Sequence, residues 1–177
     1  MSGPGRGRAR LALSLQVATR SRGLPSATQL RGWARAALRK PARVCLRIVT
    51  AREGESLNRA YRRKDCPTNV LTFRYDDEHD TLAGDIVLCA PVIRREARAQ
   101  GKALLAHYAH LTVHALLHLQ GYDHALEREA RIMEARETSI MRSLGYPDPY
   151  AIEPTSCTTS RPALARLAAL SDCCHGK

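Results

Sequence analysis

Histidines at positions 114, 118 and 124 constrain this chain more than any other feature. They lie in the run His114-Ala115-Leu116-Leu117-His118-Leu119-Gln120-Gly121-Tyr122-Asp123-His124, of the form HxxxHxxGxxH. Two histidines four apart on a helix sit about 40° apart around its axis and roughly 6 Å apart along it, so both imidazoles can reach one metal ion. Gly121 can take a positive φ without steric cost. The helix can therefore end near Gln120, and the return can carry His124 to a third coordination position. Three protein ligands leave a fourth position open, which is the mark of a catalytic zinc rather than a closed structural one. The plain alternative is three ordinary histidines on a half-buried helix, and the glycine placed between the second and third favours the metal.

The stripe extends upstream, because His107, His110, His114 and His118 follow one another at steps of three, four and four. His110 and His114 would also make a pair. The turn at Gly121 returns His124 to the C-terminal end of the helix, a turn beyond His110, so His114 and His118 are the predicted ligands. His110 is expected in the core or behind the ligands, and His107 facing solvent. Asp123 either orients an imidazole through its second nitrogen or simply makes the turn. In metzincin proteases the residue after the first histidine is the Glu that acts as general base. Here it is Ala115, which argues against proteolysis.

The His114 to His124 stretch resembles the HGxLHLxGYDH signature of the YbeY proteins, a bacterial and organellar family of metal-dependent endoribonucleases. Two further blocks are similar. Leu57-Asn58-Arg59-Ala60-Tyr61-Arg62-Arg63-Lys64-Asp65 with Thr68 to Phe73 resembles LNxxYRxKDxxTDVLSF, and Leu82 to Cys89 resembles the strand containing LGDIVI. The resemblance covers roughly Leu11 to Tyr150. Departures are Ala115 for the usual Gly, Thr72 for Ser and Arg74 where Pro is frequent, and none removes a ligand. The resemblance implies zinc on His114, His118 and His124, with Arg62 as the functional arginine, whose guanidinium fork suits phosphate oxygens. Arg59 is the weaker choice, and Asp85 is expected to close the start of its strand. The resemblance further implies single-strand-specific cleavage in ribosomal RNA maturation, at the 3′ end of 16S rRNA, and a part in ribosome quality control. Implied partners are the small ribosomal subunit, a small-subunit ribosomal protein and an Era-like GTPase. The competing reading is a ribosome-assembly factor that binds RNA or protein and uses zinc mainly to fix its fold; a small-molecule hydrolase is a third.

Charge is uneven along the 177 residues: every basic residue in the first 52 stands without a single Asp or Glu, while the remainder is close to neutral. Such a patch attracts phosphate backbones in a salt-sensitive way, although it could equally serve solubility. Only eight aromatic residues are present and they suggest no base-stacking platform. The cysteines at 45, 66, 89, 157, 173 and 174 lack CxxC spacing, which indicates neither a disulfide framework nor a zinc ribbon and suits a reducing compartment. Leu11, Leu13, Leu15 and Val17 alternate with small or polar residues, a strand pattern rather than a signal core, and no apolar run approaches membrane-spanning length. A cytoplasmic protein is expected.

The remaining patterns predict an α+β fold, a small mixed β-sheet packed against helices with the metal site at the end of a central helix. Strands are predicted at 11–18, 44–50, 70–75 and 85–89, and helices at 26–39, 55–63, 91–100, 103–120 and 125–144. Residues 1–10 read as a basic flexible extension, 11–150 as one domain and 151–177 as a flexible tail, with a possible short helix at 162–170.

Overall fold

The computed structural model describes residues 10–75, 81–124 and 126–151. The expected extension, the acidic loop 76–80 and the tail with its possible helix lie outside those described residues, apart from Arg10 and Ala151. The order of elements is β1 (Leu11–Val17), α1 (Ala27–Ala37), β2 (Ala42–Val49), α2 (Ala51–Arg62), β3 (Val70–Tyr75), β4 (Leu82–Cys89), α3 (Ala90–Ala99), α4 (Leu104–Leu119) and α5 (Glu127–Ser143). The four strands form one mixed sheet in the order β1-β2-β4-β3. β1, β2 and β4 run parallel, and β3 pairs antiparallel with β4 at the sheet's edge.

Local chemistry sets most boundaries. Ser26 caps α1 through a full capping box: its hydroxyl accepts from the Gln29 amide at 3.2 Å, and the Gln29 side chain accepts from the Ser26 amide at 2.9 Å. α2 starts four residues earlier than the apolar pattern suggests. The Thr50 hydroxyl accepts from the Glu53 amide and caps it there. β4 likewise begins at Leu82, because each of its residues pairs in register with β2, from Ala42 opposite Leu82 to Val49 opposite Cys89. Asp85 therefore sits within the strand rather than at its start. Its carboxylate accepts a hydrogen bond from the Tyr75 hydroxyl at 2.7 Å.

The period-two alternation of the strands divides the sheet into two unlike faces. Val44, Leu46, Ile48, Ile86 and Leu88 point into the main core, where they meet α1 and α4. Leu71, Val87 and Cys89 point to the other side and form a smaller cluster with Val92, against which Leu57 of α2 packs. The axis of the molecule is α4, which touches α1, α3, α5, β3 and β4 and is buried around almost its whole circumference. Its close seat on the sheet requires Gly84. A Cβ there would lie 2.4 Å from the Phe73 carbonyl oxygen and 2.6 Å from Leu119 Cδ2, so only glycine lets helix and strand approach this far.

Candidate metal centre and its cleft

α4 ends as its sequence demands. Gly121 takes φ +89°, its amide donates to the His118 carbonyl at 3.0 Å, and the Tyr122 amide donates to the Leu117 carbonyl at 3.1 Å. This pair of bonds is a Schellman closure, and it reverses the chain just beyond the helix. The Asp123 carboxylate accepts from the backbone amide of His124 at 2.7 Å, a turn contact, and among the described residues no hydrogen bond joins it to an imidazole. The reversal brings His124 back over the last turn of α4. One nitrogen from each of His114, His118 and His124 lies within 4.8 Å of the others. His114 is buried, His118 half-buried and His124 exposed, so the cluster grades from the core outward into an open cleft.

The donor set fits a divalent metal ion. The His114 and His118 Nε2 atoms face each other at 3.2 Å. Burial, together with the adjacent His114 and His124, pulls the His118 imidazole down to a pKa of about 4, which keeps it neutral and its lone pair available. The tautomer of His114 is set by a residue that the sequence did not single out. Glu137, in the middle of α5 and fully buried, accepts from His114 Nδ1 at 2.8 Å through one oxygen. Its other oxygen accepts from His110 Nε2 at 2.8 Å and from the Tyr150 hydroxyl. Burial alone would raise the Glu137 carboxyl, but the bonds from His110 and His114 overcome it and hold the group ionised, well below the usual carboxylate range. With Nδ1 donating to Glu137, His114 presents its Nε2 to the cluster.

His110 thus lies behind the three-histidine cluster, as its place in the stripe suggests, and burial lowers its pKa despite the opposing Glu137. His107 is not solvent-facing. It is fully buried, with Nε2 2.9 Å from the Glu96 carboxylate, and the same carboxylate accepts from the Asn69 side-chain amide. α4 is buried around almost its whole circumference, and at His107 the neighbour that covers it is α3, which supplies Glu96. Through Glu96 that histidine anchors Asn69, which lines the cleft.

The cleft has a volume of about 410 Å³. Around the three imidazoles it is lined by Arg62, Asn69, Val70, Thr72, Arg74, Leu111 and Asp123. β3 supplies the alternate residues Val70, Thr72 and Arg74 to this wall. Arg62 is the last residue of α2, and Arg63 then takes a left-handed turn (φ 57°, ψ 32°) that leads the chain toward the cleft-lining Asn69. Partial burial lowers the Arg62 pKa, and among the described residues no hydrogen bond or ion pair is assigned to it. Arg59 differs sharply, being held by Asp65 at 2.5 Å and Glu55 at 3.0 Å, and it does not line the cleft. Geometry therefore brings Arg62, His114, His118 and His124 to one cavity and leaves Arg59 outside it.

The profile of the family described as Endoribonuclease YbeY matches residues 25–145. Endoribonuclease YbeY of Nitrosomonas europaea is 56% identical over 143 residues, covering 81% of this chain and 87% of that protein. The protein of the same name from Nitrosomonas eutropha is 55% identical, covering 80% of this chain and 99% of its own length. That from Methylibium petroleiphilum is 57% identical, covering 80% and 95%.

Proposed function

The chain belongs to the endoribonuclease YbeY family, and on that premise we propose that it is a zinc-dependent, single-strand-specific endoribonuclease acting in ribosomal RNA maturation. The observation that supports this best is the convergence of three imidazoles in a cleft whose facing wall carries Arg62, a guanidinium with no assigned protein partner among the described residues.

His114, His118 and His124 would hold the ion, and zinc bound there would supply Lewis-acid polarisation to a phosphodiester. The chain's own residues do the remaining work. Glu137 keeps the His114 proton on the nitrogen remote from the cluster. Arg62 offers a planar fork to the non-bridging phosphate oxygens, and an incoming anion restores the solvation that partial burial withholds from its charge. Arg74 adds a second positive charge to the same wall. Ala115 is buried and carries no proton-accepting group, so the position of a protease's carboxylate base is empty of one.

The substrate in this reading is the 3′ region of 16S rRNA in the small ribosomal subunit, with a role in ribosome quality control. An Era-like GTPase and a small-subunit ribosomal protein are the proposed partners and the cytoplasm the proposed location. The acid-free, arginine-rich first 52 residues support an RNA-facing role. No helix among the described residues is long and apolar enough to cross a membrane.

Protein purified without an affinity tag is expected to carry about one zinc per chain and to lose it in the His114→Ala variant. Arg62→Glu should keep the metal and the melting temperature while cleavage of single-stranded RNA falls by about 10²-fold or more. Stoichiometric zinc in the triple alanine variant of His114, His118 and His124 would overturn the site. A nuclease-free preparation that binds small subunits yet cleaves no RNA would leave an assembly factor with a structural zinc.

A further inference from the structure

Tyr61 immediately precedes Arg62 on α2, yet its side chain takes no part in the cleft wall. It lies across the smaller face of the sheet, where its ring meets Phe73 edge-on with centroids 4.7 Å apart and an interplanar angle of 64°. Phe73 is half-buried against the α2-side cluster, and Tyr61 is 65% exposed. A tyrosine ring supported on one side by a second aromatic, and open to water over most of its area, is an unsatisfied apolar surface. Its location is constrained further. β3 is the edge strand, Thr72 and Arg74 look into the cleft, and Phe73 between them looks to the opposite face. Arg62 and Tyr61, adjacent in sequence, therefore stand on the two sides of one exposed strand edge, with Arg63 and Lys64 both solvent-exposed beside them.

We propose that Tyr61, propped by Phe73, is a stacking subsite for one unpaired nucleobase of the RNA whose phosphate is held by Arg62. This rests on the endoribonuclease reading above and adds to it how the enzyme prefers single strands. A base can lie on the Tyr61 ring only if it is free of a pairing partner, and a duplex has no base to turn over the edge of β3. The ring is tolerant of base identity, because every base presents a π-face, so the subsite selects for strandedness rather than sequence. The run Arg62-Arg63-Lys64 neutralises the backbone as it crosses the edge.

The test uses the full-length, metal-loaded protein and a single-stranded RNA oligonucleotide with one defined cleavage site, scanned position by position with abasic substitutions. With wild-type protein, one abasic position at a fixed offset from the cut should weaken binding by about five-fold or more. Tyr61→Ala should weaken binding of the intact oligonucleotide by a similar factor and become indifferent to that same abasic position. Tyr61→Phe should behave as wild type, and Tyr61→Leu, which keeps Phe73 covered, should behave as Tyr61→Ala with unchanged zinc content and melting temperature. A 2-aminopurine placed at the sensitive position should be quenched by wild type and by Tyr61→Phe only. If Tyr61→Leu cleaves and binds like wild type, or loses affinity equally for intact and abasic RNA, the subsite is overturned while the endoribonuclease reading stands. If wild-type protein cleaves no RNA at all, the parent reading falls first and the subsite with it.

Discussion

Replacing Glu137 by Gln isolates the carboxylate that ties the three-histidine cluster to the core. The side chain is isosteric and fully buried, so packing is preserved and only hydrogen-bond chemistry changes. In the native protein one oxygen accepts from both His110 Nε2 and Tyr150, and the other accepts from His114 Nδ1 at 2.8 Å. The amide's single oxygen is best placed toward the two donors, which puts its NH₂ against His114. That juxtaposes two donors unless His114 moves its proton to Nε2, the nitrogen that faces His118. The variant thus loses one charge-assisted bond, of about 1.5–3 kcal/mol, and weakens two others to neutral strength, while relief of a buried charge offsets part of the loss. A net cost of about 2–3 kcal/mol corresponds to a melting temperature lower by roughly 4–12 °C for a chain of this size, measured on metal-free protein. Zinc affinity, read by competition with a chromogenic chelator, should drop by about 10–100-fold. Tyr150→Phe is the control, since it removes one donor and leaves both imidazole bonds. It should cost about 1 kcal/mol and leave zinc affinity unchanged. Native zinc affinity in Glu137→Gln, with or without a shift in melting, would refute the argument that this carboxylate fixes the His114 tautomer.

Gly84→Ala should destabilise the protein by about 3 kcal/mol or more, or prevent soluble expression. The added Cβ would stand 2.4 Å from the Phe73 carbonyl oxygen, backbone of β3 that must shift, and 2.6 Å from Leu119 Cδ2; an unaltered melting curve would contradict that close approach. Tyr75 donates to Asp85, and that bond, with lesser help from burial, pushes its phenol up to a pKa of about 12. A raised phenol pKa means that the unfolded chain releases the proton first. This contribution to stability is therefore fully present below about pH 10 and is lost as pH rises toward 12, and Tyr75→Phe should remove that part of the alkaline loss in denaturation measured across the window.

The sequence by itself determined the three-histidine cluster. The i, i+4 spacing of His114 and His118, and a glycine free to take positive φ at 121, are local properties, and the helix end they specify forms as the backbone rules require. The element order was also legible, because β-alternation, capping and Gly or Pro breaks act within a few residues; boundaries drifted where pairing partners decided them, as at Leu82 and Ala51. Arg62 could be singled out only by resemblance. It is the fold that separates it from Arg59, by committing Arg59 to Glu55 and Asp65 and turning Arg62 onto the cleft. Other features had no local signal. Glu137 reads as one more acid on the amphipathic α5 until α4 and α5 pack, and then low-dielectric burial against two imidazoles makes it the centre of a network. His107 is expected to face solvent, but α3 covers that part of α4 and offers it Glu96. The eight aromatics showed no platform as a list, because Tyr61 and Phe73 are twelve positions apart and meet only when α2 folds over β3. Backbone-local signals survive reading in one dimension. Contacts between elements do not, since which face of a helix is covered depends on neighbours contributed from elsewhere in the chain.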